Sequence, residues 1–328
     1  MRSLRSLGRA FGAPLSFTLC GGMRADRCFF CGDAIAEKVS QEHVFGNSFL
    51  GYLDLKRDTL TSSQPHPTSY SRLKVPAHAT CNNREGSWFE SYVLSIIRTM
   101  DGNLDHLAQI HTSIGEQVNE GLRQAFTQWL AKLYFGLLYW EAGRKNHADR
   151  AHQRWLMKLL NGPEFAYLRS CYTQHLGFRL PSSLYHFRVP DPQEPAFRFD
   201  FGNGLPHGLV YIRFRNHLLV TALGDGNLVR EWFNDEHVER CQAHILEQSA
   251  SDPVAYLHAV AHIWAVREWL PIQPAIEFHD WGICDRSREG LEERPAINGE
   301  AVNARAQEIF DEHASRWRSA RRPTSDCS

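Results

Sequence analysis

The chain has 328 residues, of which 43% are hydrophobic and 22% charged, with 36 Lys and Arg against 37 Asp and Glu. That composition supports a packed core and excludes a disordered or collagen-like chain. The near balance of charge excludes a wholly basic nucleic-acid coat protein but leaves room for a local basic groove. No run of about 18 uncharged apolar residues exists. The best candidate, Trp129 to Trp140, is short and interrupted by Lys132, so no membrane partner is expected. Eight cysteines, of which only Cys28 and Cys31 form a close pair, suit a reducing, cytoplasmic setting with one metal site better than a cross-linked secreted protein.

Residues 1–22 hold three Arg, several Ser and no acid, and a second Met follows at position 23. They read either as a transit-type leader or as a start assigned too early. The later start is favoured because Leu15 to Gly22 lacks an amphipathic face. Either way the segment is expected to be disordered. Residues 23–100 form a first unit, with a polar stretch at 61–71 and a closing helix over 86–100, where Trp88, Tyr92 and Ser95 or Ile96 recur at helical spacing. Residues 101–328 form a larger unit. Long helical patterns run over 116–143, 149–162 and 164–176. Alternating, half-buried strands are expected at 197–201 and 211–215, with Gly202-Asn203-Gly204 and Gly224-Asp225-Gly226 as turns. Helices return over 235–248 and 253–270, and the Arg-rich tail is read as loose. The fold class is α+β, a small metal-stapled domain followed by a larger domain of helices and β-hairpins.

Four features fall in order within the first unit: Cys28-x-x-Cys31, Glu42-His43, His78-x-x-Cys81, and Asn82-Asn83. Each outer pair has the two-residue gap that points two donors at one ion. Together they make a Cys3His set suited to structural Zn2+. A unit this small has little core, so such a staple is physically useful. Cys171, Cys241 and Cys284 sit among apolar residues and read as core. Glu42 offers a hard oxygen ligand and His43 a base that titrates near neutrality. A strand end or bulge could bring both into one cleft. The zinc would hold Asn82 at a fixed distance from the strand that the first knuckle feeds.

In order and spacing, CFFCGD, QEHVFGNSF and HATCNNREGSWFE resemble the HNH, or ββα-metal, endonuclease family, in particular its zinc-stapled branch with the phage junction-resolving enzymes. The resemblance covers residues 28 to about 97. It implies that His43 is the general base, and that Glu42 and Asn82 hold a catalytic Mg2+ or Mn2+ on the scissile phosphate. It further implies that Asn83 steadies the site, Arg84 meets a phosphate, and Glu90 on the closing helix is a spare acid for the metal. The sequence departs from the family pattern in several places. Glu42 replaces the usual Asp, Asn82 the last His and His78 a Cys. Gly46 stands where Pro often follows the apolar pair, and the family's middle Asn has no clear match near Leu73.

Two further signals are weaker. His258-Ala-Val-Ala-His262 spaces two imidazoles one helical turn apart. Ala259 stands where a metalloprotease would carry its glutamate, so the pair reads as packing. Gly224-Asp225-Gly226-Asn227 lacks the Lys of a phosphate loop and reads as a hairpin turn. The expectation is a metal-dependent HNH endonuclease acting on nucleic acid, most simply DNA, by family association in a bacterial defence or mobile-element system. Residues 101–328 would select the target or bind a protein partner or small-molecule activator. The alternative is a non-catalytic, zinc-stapled nucleic-acid-binding or adaptor protein.

Overall fold

The computed structural model describes residues 27–36, 39–60, 68–83, 87–100, 117–143, 150–161, 165, 168–169, 172, 182–193, 197–204, 208–270, 276–279, 282–285, 300, 303–308, 310–311 and 315. The readings made for residues 1–22, Arg84, Cys171, the side chain of Cys284 and the Arg-rich tail lie outside what is described.

The chain is mixed α+β with small sheets. Its first segment is built from short pieces. Strand β1 (Ser40–His43), helix α1 (Asn47–Tyr52), β2 (Thr59–Leu60), β3 (Thr68–Ser69) and β4 (Lys74–Ala77) are followed by one turn of helix, α2 (Ala79–Cys81), and by α3 (Ser87–Met100). β1 and β4 pair antiparallel, with Glu42 opposite Val75 and His43 opposite Lys74, and β2 pairs with β3. Helix α4 (Gln117–Ala142) follows, then α5 (Arg150–Leu160). Both match the long apolar periodicities of the sequence.

Four strands come next: β5 (Ser183–Arg188), β6 (Phe199–Gly204), β7 (Leu209–Phe214) and β8 (His217–Ala222). They form one antiparallel sheet in the order β5-β8-β7-β6. Helices α6 (Leu228–Trp232), α7 (Asp235–Gln248) and α8 (Leu257–Trp269) complete the body, and β9 (Ile276–His279) pairs with β10 (Gly282–Asp285). No helix among the described residues is long and apolar enough to cross a membrane.

The sheet is covered on both faces. Leu184, Val210, Ile212, Phe214 and Leu219 belong to one core cluster, shared with the first segment and α4. Tyr185, Phe187, Leu209, Tyr211, Leu218 and Val220 belong to a second, packed by α6, α7 and α8. Successive side chains on a strand alternate between faces, which is why neighbours along β7 fall in different clusters. β7 is therefore fully buried and not half-buried as its alternation suggested, whereas the edge strand β6 is only partly covered. The polar positions Arg213 and Thr221 are buried too, and the Arg213 guanidinium lies 5.1 Å from the Tyr256 ring centroid.

One expected turn is strand, and the other is a turn but not of a hairpin. Gly202 and Gly204 are strand residues, paired with Tyr211 and Leu209. A Cβ at Gly202 would overlap the Tyr211 ring, which crosses this position while its hydroxyl donates to Asp200 Oδ2 at 3.1 Å. Gly224-Asp225-Gly226-Asn227 joins β8 to a helix and is not a hairpin. The buried Asp225 carboxylate accepts from Ser183 N (2.8 Å), Ser183 Oγ (2.6 Å) and Val229 N (2.9 Å), tying the start of α6 to β5.

The packing runs across the boundary read at residue 100. Phe49 meets Trp129 of α4 with ring centroids 4.9 Å apart, and Phe45 meets Phe201 of β6 at 5.5 Å. Gly136 gives Val44 room against α4, since a Cβ there would lie 3.1 Å from Val44 Cγ1.

Candidate metal centre and the His43 edge

The first knuckle is set by backbone hydrogen bonds. Cys28 N donates to Asp33 O at 2.8 Å, Gly32 N to Cys28 O at 2.9 Å, and Phe29 N to Pro76 O at 2.8 Å, which joins the knuckle to β4. β4 ends at Ala77, and His78 begins the single helical turn that carries Cys81. The ligand atoms of Cys28, Cys31, His78 and Cys81 all lie within 4.8 Å of one another, and this group could hold a metal such as zinc.

Details around the cluster fit that role. His78 Nδ1 faces Cys31 Sγ at 3.4 Å and Cys81 Sγ at 3.9 Å. Its Nε2 lies 3.2 Å from Ala34 O. A carbonyl can only accept, so Nε2 carries the proton and Nδ1 presents its lone pair to the thiols. This is the arrangement that orients a metal-binding imidazole. His78 N also donates to Cys28 Sγ at 3.4 Å. Without a cation, burial and the neighbouring thiols push Cys31 up to about 12, and Cys81 is raised for the same leading reason. A bound dication would reverse this and hold the sulfurs as thiolates.

Sequence reasoning missed the cation beside this cluster. Arg169 is buried, and it donates from Nε to Phe29 O at 3.1 Å and from Nη2 to Cys28 O at 3.5 Å. Its guanidinium carbon sits 4.2 Å from the Phe165 ring centroid. With a dication bound, three thiolates would leave a net negative charge beside Arg169. The signal was a lone Arg in the apolar stretch Phe165-Ala-Tyr-Leu-Arg-Ser-Cys-Tyr.

The acid–histidine pair divides between two faces. The β1–β4 register is regular from Ser40 to His43, with no bulge to bring both side chains to one cleft. Glu42 is buried and His43 is only partly so. The Glu42 carboxylate accepts from Lys132 Nζ of α4, and the same ammonium also binds Glu90 of α3 and donates to His43 O at 3.0 Å. The Lys132 side chain is 1% exposed. Burial works against its charge, but the two carboxylates outweigh burial and raise its pKa. Glu90 is raised by burial, opposed by Lys132. Glu90, expected as a spare acid for the metal, instead meets Glu42 around this ammonium. Glu90 also accounts for Gly46, where a Cβ would overlap the Glu90 carboxylate.

His43 stands at the end of β1, its Nε2 3.3 Å from the Asn47 side-chain amide nitrogen. Asn47, four residues on, meets the histidine. Leu73, near the place where a middle Asn was sought, is fully buried, and its carbonyl accepts from Val44 N at 2.8 Å. The His43 pKa is lowered by burial and by Lys74 across the strand pair, against the opposing pull of Glu42. Asn82 donates from Nδ2 to Ser40 Oγ at 2.9 Å and to Gln41 O at 3.4 Å, so it ties the exit of the second knuckle to β1. Asn83 is exposed beside it.

The structure therefore brings the four Cys/His donors together, joins Glu42 and Glu90 through Lys132, and sets Asn82 against β1. Glu42 and Asn82 are engaged by different partners. In comparisons with known proteins, the chain matches no family model, no curated protein and no solved structure.

Proposed function

We propose that this chain is a zinc-stapled hydrolase of the HNH type that cleaves phosphodiester bonds in nucleic acid, with DNA as the first substrate to test. The observation that supports this most is the position of His43. It lies on the outward face of a strand whose partner strand runs directly into the Cys/His cluster, and Asn47 holds its ring. Its lowered pKa keeps the imidazole neutral at physiological pH, and Nε2, which accepts from the Asn47 amide at rest, would exchange that hydrogen bond for one to the attacking water and take its proton. The water oxygen would form the new bond to phosphorus as the leaving oxygen departs. Zn2+ on Cys28, Cys31, His78 and Cys81 would supply rigidity.

The expected Mg2+ or Mn2+ ligand pair does not fit in this conformation. The Glu42 carboxylate is bound by the Lys132 ammonium, and Asn82 Nδ2 donates to β1. No step is routed through such an ion, and Glu42, Lys132 and Glu90 are read as the support beneath His43. The same observation favours a second reading, a zinc-stapled nucleic-acid-binding or adaptor module without catalysis. Residues 101–328 are proposed to select the target in either case.

A plasmid-nicking assay with and without Mg2+ or Mn2+ separates the two readings. Cleavage by the native chain and its loss in His43→Ala, with zinc content and DNA binding retained, supports the hydrolase. Retained DNA binding with no cleavage by the native chain under any metal supports the binding module.

A further inference from the structure

Helices α7 and α8 share an apolar cluster, and beside it they also meet through histidines. α7 presents His237, Cys241 and His244, and α8 presents His258 and His262. The His258 and His262 Nε2 atoms are 3.1 Å apart. The His244 ring stacks on His258 with centroids 4.0 Å apart, and Phe310 meets it edge-on at 5.9 Å. His258 Nδ1 is buried with no hydrogen-bond partner, so the polar contact of this ring runs through Nε2. A cavity of about 300 Å³ opens on the pair, lined by His237, Arg240, Cys241, His258, His262, Asn303 and Gln307.

We propose that His258 and His262 form a second metal site, a two-imidazole chelate for a first-row divalent cation such as Zn2+, in the cavity between α7 and α8.

Geometry is the main support. Two nitrogens bound to zinc at about 2.0–2.1 Å with a tetrahedral angle lie about 3.3 Å apart, close to the observed separation. Histidines four residues apart on one helix meet on one face, and a core site assembled from facing helices is a recurrent way to bind metals. The two Nε2 atoms share one hydrogen bond, and a metal between them would replace it, the donor ring's proton moving to its Nδ1.

His237 is the natural third donor. Its Nδ1 lies 2.7 Å from Asn234 Oδ1, which fixes the proton there and leaves Nε2 as the acceptor. Among the described residues, only the Cys28 group brings three or more donors within 4.8 Å of one another. The remaining positions at the histidine site would thus be filled by water, or by His237 turning inward. Cys241 lines the same cavity, but its thiol does not group with the two imidazoles within 4.8 Å, so the site is nitrogen- and oxygen-based. Arg240, whose charge opposes a cation, lies 3.9 Å from Glu236.

The test is a titration of the full-length chain, its Cys/His site already filled with zinc, with further Zn2+ followed by calorimetry and metal analysis. One additional equivalent should bind. His258→Ala and the milder His262→Gln should each abolish that uptake while the first equivalent stays. The native chain offers a readout that needs no variant. A second equivalent of Co2+ should give ligand-field bands without the sulfur-to-metal charge-transfer band of a thiolate site. No further uptake by the native chain would overturn the proposal and leave the pair sharing a proton. So would uptake unchanged in both variants, or a second Co2+ that shows thiolate charge transfer.

Discussion

Strands β1 and β4 are four residues long and stand as an isolated pair, whereas β5, β7 and β8 are six residues long and lie in a four-stranded sheet. Both regions are antiparallel and both touch the same core cluster. The wide sheet is held by its own ladders and by apolar cover on two faces. The short pair has too few ladder bonds to stand alone, and a knuckle bound to Pro76 and a cluster of sulfur and imidazole donors lie at its end. The comparison teaches where tight local geometry can be placed. A strand pair whose Ser40–Ala77 end leads into a cluster that could hold a metal, and whose Glu42–His43 end is held by the buried Lys132, can present His43 without a large sheet beneath it.

Removing the metal should affect the two regions most unequally. Structural zinc contributes roughly 10 kcal/mol or more of apparent folding energy in small domains. Cys28→Ser should therefore lose the Cys-bound zinc, seen by metal analysis, and melt well below the native chain by circular dichroism. A variant that melts at the native temperature without that zinc would show that the short strands need no staple.

Lys132→Met attacks the other support. It leaves Glu42 and Glu90 buried without their cation, a loss on the order of 3–5 kcal/mol, measured by urea denaturation. The pH dependence has a definite sign. Unpaired buried carboxylates have folded pKa values above their unfolded values, as Glu90 already has. The protonated forms then favour the folded state, so the variant is most stable below the ordinary carboxylate range and weakens as pH rises through the raised values. Its deficit against the native chain should be larger at pH 8 than at pH 5. Replacing Glu42, Glu90 and Lys132 together with neutral residues of similar size should cost less than Lys132→Met alone.

If the His43 edge is catalytic, His43→Ala should slow cleavage by about a hundredfold or more with zinc retained. The native rate should rise with pH through a pKa below 6.5, since burial and Lys74 lower it, and should then level off. A rate that keeps rising well above pH 7 would assign the proton transfer to another group. A smaller effect is expected of Gly46→Ala, whose methyl group overlaps Glu90. It should destabilise the chain by about 1–3 kcal/mol, the range for overpacking, in a chemical denaturation curve.

The two regions were unequally legible in sequence. The CxxC and HxxC spacings named all four donors, because a knuckle is a local motif. Helices α3, α4 and α7 followed from unbroken 3.6-residue periods. β5 and β8 were not foreseen, since Ser183–Arg188 and His217–Ala222 are covered on both faces and do not alternate as half-buried strands do. The partner of Glu42 was hidden for a different reason. Lys132 lies 90 residues away, and only its isolation in an apolar helix hinted that a buried acid must meet it. The same holds for Arg169, about 140 residues from the knuckle carbonyls it binds.

The central contrast is between a strand pair that ends on a candidate metal cluster and a self-supporting sheet. Amide hydrogen exchange on the native chain and on Cys28→Ser tests it most directly, because it reads both regions in one molecule. We expect the amides of Ser40–His43 and Lys74–Cys81 to lose protection in the variant while those of β5, β7 and β8 keep theirs. Unchanged protection in β1 and β4 after loss of the metal ligand, or equal loss in the four-stranded sheet, would contradict it.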